Sequence, residues 1–449
     1  MNIIIIGNSA AGTAAIEAIR MHDRQSTILQ LSDEEPFLYS RCLLSYYIAD
    51  TISNPSLLYR QNDFHHKMDV TLHAGKGFHV SDIHPNEQTV TCANGDTFSY
   101  DRLLIATGSS AKIPSLIPKD VEGIHVLRNL ADAEQIRKKI QNVNHAVVLG
   151  GGLIGMKAAD ALSKRGLKTT VMVGSDRVLS QMIDPAAARI IFKQAQDKDI
   201  DILLYTDISE ILSQDGKLTG IKTNRGKVID CELLIIAKGV APNTDIIESS
   251  GIIKNRGIKT NAFMQTNDPN IFAAGDVAEA WDMVLDDVAV NALWTCAVQQ
   301  GRIAGLNMIG KQIPYNGAVG MNALNICDIS LISFGITTPD DESAYRVHVY
   351  NQADRNIYKK IIVGSDNRIK GIILLGKITN AGVLLSLIQR KTDVSPFEDE
   401  LLNDRFNYGK LLKYGGEEFK KLYDARGAFF EKTAPLAPPK KLLLTDEEK

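Results

Sequence analysis

The five cysteines, Cys42, Cys92, Cys231, Cys296 and Cys327, include no C-x-x-C pair. That removes the ligand spacings of zinc and iron–sulfur sites and the dithiol of thioredoxin-like chemistry. An odd, scattered set reads mostly as core packing in a reducing compartment; Cys42 is the exception taken up below. Neither sign of charge dominates: 50 basic residues face 53 acidic ones, leaving no electrostatic footprint for nucleic acid or an anionic membrane surface. No apolar run approaches the roughly 18 residues of a membrane span. The chain enters an apolar strand at once, so no cleavable signal is expected and cytoplasm is the expected compartment. Aromatic residues are scarce at 6%, yet 44% of the chain is hydrophobic, and 449 residues suffice for about three ordinary globular domains.

What the sequence does have begins at its first residues. Ile3 to Ile6 is a continuous apolar run, as in a parallel strand buried on both faces. Gly7-Asn8-Ser9-Ala10-Ala11-Gly12 follows, then a helix-compatible run from Thr13 to Met21. Strand, small-residue turn and helix together form a phosphate cradle, with backbone N–H groups facing a pyrophosphate that side-chain bulk would keep away. Ser9 stands where the usual pattern has Gly, so the motif alone is of moderate specificity. Thr27 to Leu31 reads as the second strand and ends in Ser32-Asp33-Glu34-Glu35. A carboxylate there suits the adenosine ribose hydroxyls, which makes Asp33 and Glu34 candidates; a solvated acidic turn is the plainer alternative.

Pro36 to Asp50 places Arg41 and Cys42 at the start of an apolar, helix-like stretch, and the His65-His66 pair beyond it reads as surface. Alternation around residues 78–91 points to a hairpin or meander, and Leu103 to Ile105 is a buried strand ending in Ala106-Thr107-Gly108. A full G-x-G-x-x-G then appears, roughly 145 residues after the first turn: Gly150-Gly151-Gly152-Leu153-Ile154-Gly155, with a strand before it and a helix after it. Two such units imply two dinucleotides in one chain, a flavin held permanently and a pyridine nucleotide that exchanges hydride with it. Val173 occupies the end of the next strand, where an NAD-preferring site carries Glu. Ser175 and Arg177 then suit a ribose 2′-phosphate, while Asp176 suits the NAD ribose, so the nucleotide is read as NAD(P)H.

A second meander over residues 201–238 ends in Ala237-Lys238-Gly239, the counterpart of the turn at Gly108. The halves share one plan, with the second unit inserted into the first and the chain returning at Ala274-Gly275-Asp276. The expected organisation is an α/β fold. Residues 1–112 and 244–315 form one dinucleotide domain, residues 113–243 a second, and residues 316–395 a C-terminal α+β domain. Residues 396–449 form a charged extension, extended and either disordered or draped on a partner.

The order and spacing of Gly7–Gly12, Ala106-Thr107-Gly108, Gly150–Gly155 and Ala274-Gly275-Asp276 resemble the FAD-dependent pyridine nucleotide–disulfide oxidoreductases over roughly residues 1–395. The resemblance implies that Asp276 meets the flavin ribityl hydroxyls, Val80 the adenine side through its backbone, Thr107 and Gly108 the FAD cleft, and Arg41 an FAD phosphate or ribose. Within the superfamily, Tyr39-Ser40-Arg41, Leu44-Ser45 and Leu374 to Gly382 are similar to rubredoxin and ferredoxin reductases and the flavin portion of nitrite reductases. Those proteins hand electrons to an iron–sulfur or similar redox partner. Cys42 to Ile48 is similar to the single-cysteine branch of coenzyme A disulfide reductases, NADH peroxidases and NADH oxidases. Arg41 and Leu43 depart from that branch, and Lys157 stands where relatives usually carry Glu close to the nicotinamide.

The implied activity is an FAD-dependent NAD(P)H oxidoreductase that serves a redox partner protein, as an oligomer or an electron-input subunit of a complex. One alternative is a disulfide, persulfide or oxygen reductase in which Cys42 is catalytic, its thiolate favoured by a helix N-terminus and by Arg41. Another is a flavoprotein subunit without a competent nucleotide site.

Overall fold

A computed structural model describes residues 1–339 and 341–414; the proline-rich stretch from Thr433 lies outside the described residues. Two five-stranded parallel sheets share one design. The first runs 271–273, 102–105, 2–6, 27–32, 71–74; the second runs 124–126, 233–236, 145–149, 168–173, 200–204. In each, the strand that enters the glycine turn lies at the centre and pairs in parallel on both sides, so its residues meet no water: Ile3 to Ile6 in one, Ala146 to Leu149 in the other. Because the strand Ile271–Ala273 closes the first sheet beside Leu103–Ile105, the second sheet is an insertion into the first. Each half also carries a three-stranded antiparallel meander, at 80–99 and at 208–230. The two crossovers between halves pair with each other, Ser109–Ala111 against Val240–Pro242.

The helix Ala10–Arg20 leaves the first glycine turn and packs on the long helix Trp294–Met308. A Cβ on Gly301 would lie 2.1 Å from the Ala11 carbonyl oxygen, and one on Gly305 would lie 2.6 Å from that of Ala15. Four residues apart on both helices, these contacts bring backbone against backbone.

The C-terminal unit is an antiparallel sheet in the order 321–326, 329–335, 369–375, 357–364, 345–352, covered by the helix Ala381–Gln389. Here the structure differs from the expected start of the extension. Residues 395–411 fold back, and Phe397, Leu401, Phe406 and Leu411 are buried in the same cluster as Ile372, Leu384 and Leu387. Phe397 and Phe406 stack at 5.6 Å, and Asp404 pairs with the buried Lys359 and, at 3.0 Å, with Lys377. The charges in this stretch mask a spacing of apolar side chains wide enough to reach one core. Phe406→Ala should therefore cost about 3–5 kcal/mol in denaturant unfolding; a loosely draped segment would lose less than about 0.5 kcal/mol.

Candidate functional site

Both glycine turns have the same construction. Gly7 and Gly150 adopt φ +118° and +121°, and a Cβ on either would strike the carbonyl oxygen of Ala106 at 2.2 Å or of Ala237 at 2.3 Å. A Cβ on Gly12 would lie 2.2 Å from the Gly7 oxygen, and one on Gly155 1.9 Å from the Gly150 oxygen. Each helix thus starts pressed against its strand, with its first N–H groups turned to the cleft. Ser9 and Gly152 hold the N-cap positions without a side-chain cap, so those N–H groups are left for an incoming acceptor. In the first turn the buried Nδ2 of Asn8 also makes no hydrogen bond among the described residues. Unsatisfied donors lining a cradle with no side-chain bulk fit an acceptor-rich pyrophosphate.

The predicted residues of the first cleft are tied together by a polar chain. Glu34 receives Arg41 Nη2 at 2.5 Å and the Tyr39 hydroxyl at 2.6 Å. Arg41 Nη1 donates to the Arg128 carbonyl at 3.0 Å. The Arg128 side chain in turn donates to Asp276 Oδ2 at 2.8 Å and, through Nε, to the Ser109 carbonyl at 2.7 Å, while Ser109 Oγ donates to the same Asp276 oxygen at 2.8 Å. Asp276 is aimed by the turn before it, where Gly275 N–H donates to Gln300 of the long helix at 2.8 Å. Thr107 and Asn243 exchange hydrogen bonds across the crossovers at 2.8 and 2.9 Å, beside Gly108. Asp33 is separate from this chain: it is exposed, 3.4 Å from His79, and the next residue, Val80, is buried where the meander begins.

Several of these side chains carry no signature in a motif. Arg128 is placed by the capping box Asn129/Asp132 of the helix Leu130–Lys139, whose Asp132 also receives the Arg128 N–H at 2.8 Å. The box was there to be read, but the partner at Asp276 was not. His65, read as surface, is half-buried behind the first turn. It donates from Nε2 toward Gln30 Oε1 at 2.8 Å and Asn8 Oδ1 at 3.2 Å, and Gln30 Nε2 donates to the Gly7 carbonyl at 2.8 Å. The buried ring of Phe64 seats that histidine, and desolvation lowers its pKa.

Cys42 differs from expectation in two ways. It lies inside the 3-10 turn Arg41–Leu43, ahead of the short helix Leu44–Ile48, and holds the N-cap of neither, those positions being Ser40 and Leu43. Arg41 points to Glu34 instead. Cys42 is exposed at the cleft, yet desolvation there pushes its thiol above the ordinary value; a hydrogen bond with Ser40 opposes this and Asp276 adds to it. Cys296 is buried, and desolvation takes its thiol up to about 11.

At the second turn, Val173 is buried, and a Cβ on Gly151 would lie 2.6 Å from its Cγ2. Ser175 Oγ donates to the Arg177 carbonyl at 2.9 Å. Arg177 grips both oxygens of Asp176 at 2.9 and 3.0 Å and the carbonyls of Ser180 and Ile183 at 3.2 and 3.3 Å. Lys238, next to Gly239, pairs with Asp207 at 2.7 Å near Gly174.

Two matched nucleotide cradles facing one crossover ribbon define an oxidoreductase that relays between two dinucleotides. Residues 1–301 match the pyridine nucleotide-disulphide oxidoreductase family, and residues 321–392 match the C-terminal domain of rubredoxin NAD+ reductase. The chain belongs to that oxidoreductase family and is an FAD-dependent NAD(P)H oxidoreductase. It is 30% identical over 413 residues to the epsilon subunit of NADH-dependent phenylglyoxylate dehydrogenase of Aromatoleum evansii, covering 91% of this chain and 96% of that one. It is 29% identical to the assimilatory nitrate reductase electron transfer subunit of Bacillus subtilis, covering 89% of this chain but 51% of the relative. NADH:rubredoxin oxidoreductase from Clostridium acetobutylicum superposes with a TM-score of 0.73 at 25% identity, covering 90% and 99% of the two chains.

The raised Cys42 thiol has a direct consequence. Its alkylation, followed by peptide mass spectrometry against pH, should show a midpoint above the ordinary value of 9.0. A midpoint below about 8 would mark an activated thiolate instead.

Proposed function

We propose that this protein takes electrons from NADH through a bound FAD and delivers them to a redox partner protein of the iron–sulfur or rubredoxin type. The observation that carries this reading is the match of residues 321–392 to the C-terminal domain of rubredoxin NAD+ reductase, together with the likeness to electron-transfer subunits. The commitment of Arg41 to Glu34, leaving Cys42 without that cation, supports electron transfer that does not call on a sulfur nucleophile.

In this reading Gly7, Ser9, Ala10, Ala11 and Gly12 seat the FAD pyrophosphate. Asp33 and Glu34 serve the adenosine ribose, Val80 the adenine, and Thr107, Gly108 and Asp276 the flavin end. Arg41 and the further residue Arg128 hold Glu34 and Asp276 in place and supply positive charge. Gly150, Gly152, Leu153, Ile154 and Gly155 seat the nicotinamide nucleotide, with Ser175 and Gly239 at its ribose end. The flavin, when bound, supplies the acceptor for hydride; the protein's residues bind and orient.

NADH is favoured over NADPH because both cations at that ribose end, Arg177 and Lys238, are already neutralised by Asp176 and Asp207. A 2′-phosphate there would meet two carboxylates and two cations already paired with them. Resemblance to electron-transfer subunits supports work as part of an oligomer or larger assembly, and the scattered unpaired cysteines support the cytoplasm.

Anaerobic mixing of the yellow, FAD-loaded protein tests this directly. Flavin absorbance should bleach with NADH, at a kcat/KM at least about tenfold above that for NADPH, since one uncompensated charge contact is worth about 1.4 kcal/mol or more. Cys42→Ser should leave reduction of a rubredoxin or ferredoxin within about twofold of wild type. Loss of all turnover in that variant would instead favour the reading in which the exposed Cys42 reduces disulfides or persulfides. Failure of either nucleotide to bleach the flavin would favour a subunit that receives electrons by another route.

A further inference from the structure

The helix Leu153–Lys164 that leaves the second glycine turn carries a buried cation on the side facing the other two units. Lys157 Nζ donates to the Asn325 carbonyl at 3.0 Å and sits 3.9 Å above the ring of Tyr46. Asn325 belongs to the first strand of the C-terminal sheet, and Tyr46 to the short helix just beyond Cys42. Among the described residues no carboxylate pairs with this ammonium. Buried charge is costly unless compensated, and one carbonyl and one π face compensate it only in part. A cation kept under those terms, at the junction of all three units and two residues past Gly155, acts on whatever ring is brought to that junction.

We propose that Lys157 is the residue by which the nucleotide site distinguishes the two redox states of the nicotinamide, favouring the neutral dihydro ring over the positively charged oxidised ring. This inference rests on the reading that the second glycine turn seats NADH. A nicotinamide that gave up its C4 hydrogen with both electrons to a bound flavin would change from a neutral ring to one of charge +1. Lys157 is already positive. Two unit charges within about 10 Å at an effective dielectric near 20 repel enough to change affinity about tenfold or more. The donor form is thereby held and the spent form released, so product inhibition is weak. Met at this position would keep the aliphatic contact with Tyr46 while removing the charge and the hydrogen bond to the Asn325 carbonyl.

The test measures binding, with the FAD-loaded full-length chain and two ligands that do not reduce it: NAD+ and 1,4,5,6-tetrahydro-NADH, whose ring is neutral. Wild type should bind the tetrahydro compound about tenfold or more tighter than NAD+ by titration calorimetry. Lys157→Met should bring the two dissociation constants together, mostly by tightening NAD+, while Lys157→Arg keeps them apart. Equal affinities in wild type, or an unchanged ratio in Lys157→Met, overturn the role of Lys157. Where the Met variant does not fold, Lys157→Gln, which keeps a donor for the Asn325 carbonyl without the charge, serves as the second variant, and an unchanged ratio there overturns the role equally. If neither compound binds, the nucleotide reading of the second turn fails and this inference fails with it; equal binding overturns this inference alone.

Discussion

The architecture depends on backbone touching backbone at the two glycine turns. Where Gly7 meets Ala106 and Gly12 meets Gly7, a Cβ would lie 2.2 Å from a carbonyl oxygen, well inside any allowed carbon–oxygen contact. The second unit repeats the pair at Gly150 and Gly155, against Ala237 and Gly150. Those contacts fix how each helix leaves its strand, and so where its unpaired N–H groups point. They also bring the turns after the neighbouring strands, Ala106-Thr107-Gly108 and Ala237-Lys238-Gly239, to the same rims. Both crossover strands start from those rims and pair with each other, so the two cradles and the link between the halves are built from the same turns.

Charge organises what the glycines leave open. Glu34, Arg41, Arg128 and Asp276 form one line from the end of the second strand to the start of the returning segment, with a carboxylate at each end and the two arginines between them. Each member is partly desolvated and each has a geometrically good partner, which is the condition under which buried ionic groups specify an arrangement without leaving an uncompensated charge. The two arginines differ in how they join this line. Arg41 bridges by side chain to Glu34 and to a backbone oxygen, whereas Arg128 uses its carbonyl for Arg41 and its guanidinium for Asp276. Removing either would therefore leave a cleft carboxylate without its cation, held only by the hydroxyl of Tyr39 or of Ser109.

How much of this was legible in the sequence follows from the range of each interaction. The glycine turns, their flanking strands and the insertion of one unit into the other depend on local backbone requirements, and the sequence states them openly. Arg128 was not legible, because its partner Asp276 is 148 residues away and only the capping box beside it is local. His65 was misread for the same reason: its partners Asn8 and Gln30 come from the first turn and the second strand. Cys42 was read with a helix behind it because Leu44 to Ile48 is helical, but the chain tightens into a 3-10 turn first. Residues 395–411 looked like an extension because their charges are frequent and their apolar residues unevenly spaced. Burial of Phe397 and Phe406 against each other is a tertiary fact that periodicity does not carry.

The C-terminal unit, finally, is tied to the second dinucleotide unit. Its hairpin tip at Cys327 donates a backbone N–H to the buried Asp160 of the second-turn helix at 3.3 Å, and Lys164 holds the same carboxylate at 2.9 Å. Farther along the sheet, Tyr358 donates to Asp184 at 2.5 Å while Asp184 caps the helix Pro185–Gln196. With Lys157 reaching Asn325, the sheet grips the second unit at three separated points. Three points define a plane. The second unit is thus held against rotation about the two-stranded crossover ribbon, which by itself would leave such a motion free. Hydride transfer needs its donor and acceptor carbon and nitrogen aligned at van der Waals distance, where a shift of 1 Å can cost about a hundredfold in rate. The antiparallel sheet, remote from both glycine turns in sequence, supplies three contacts that oppose such a shift.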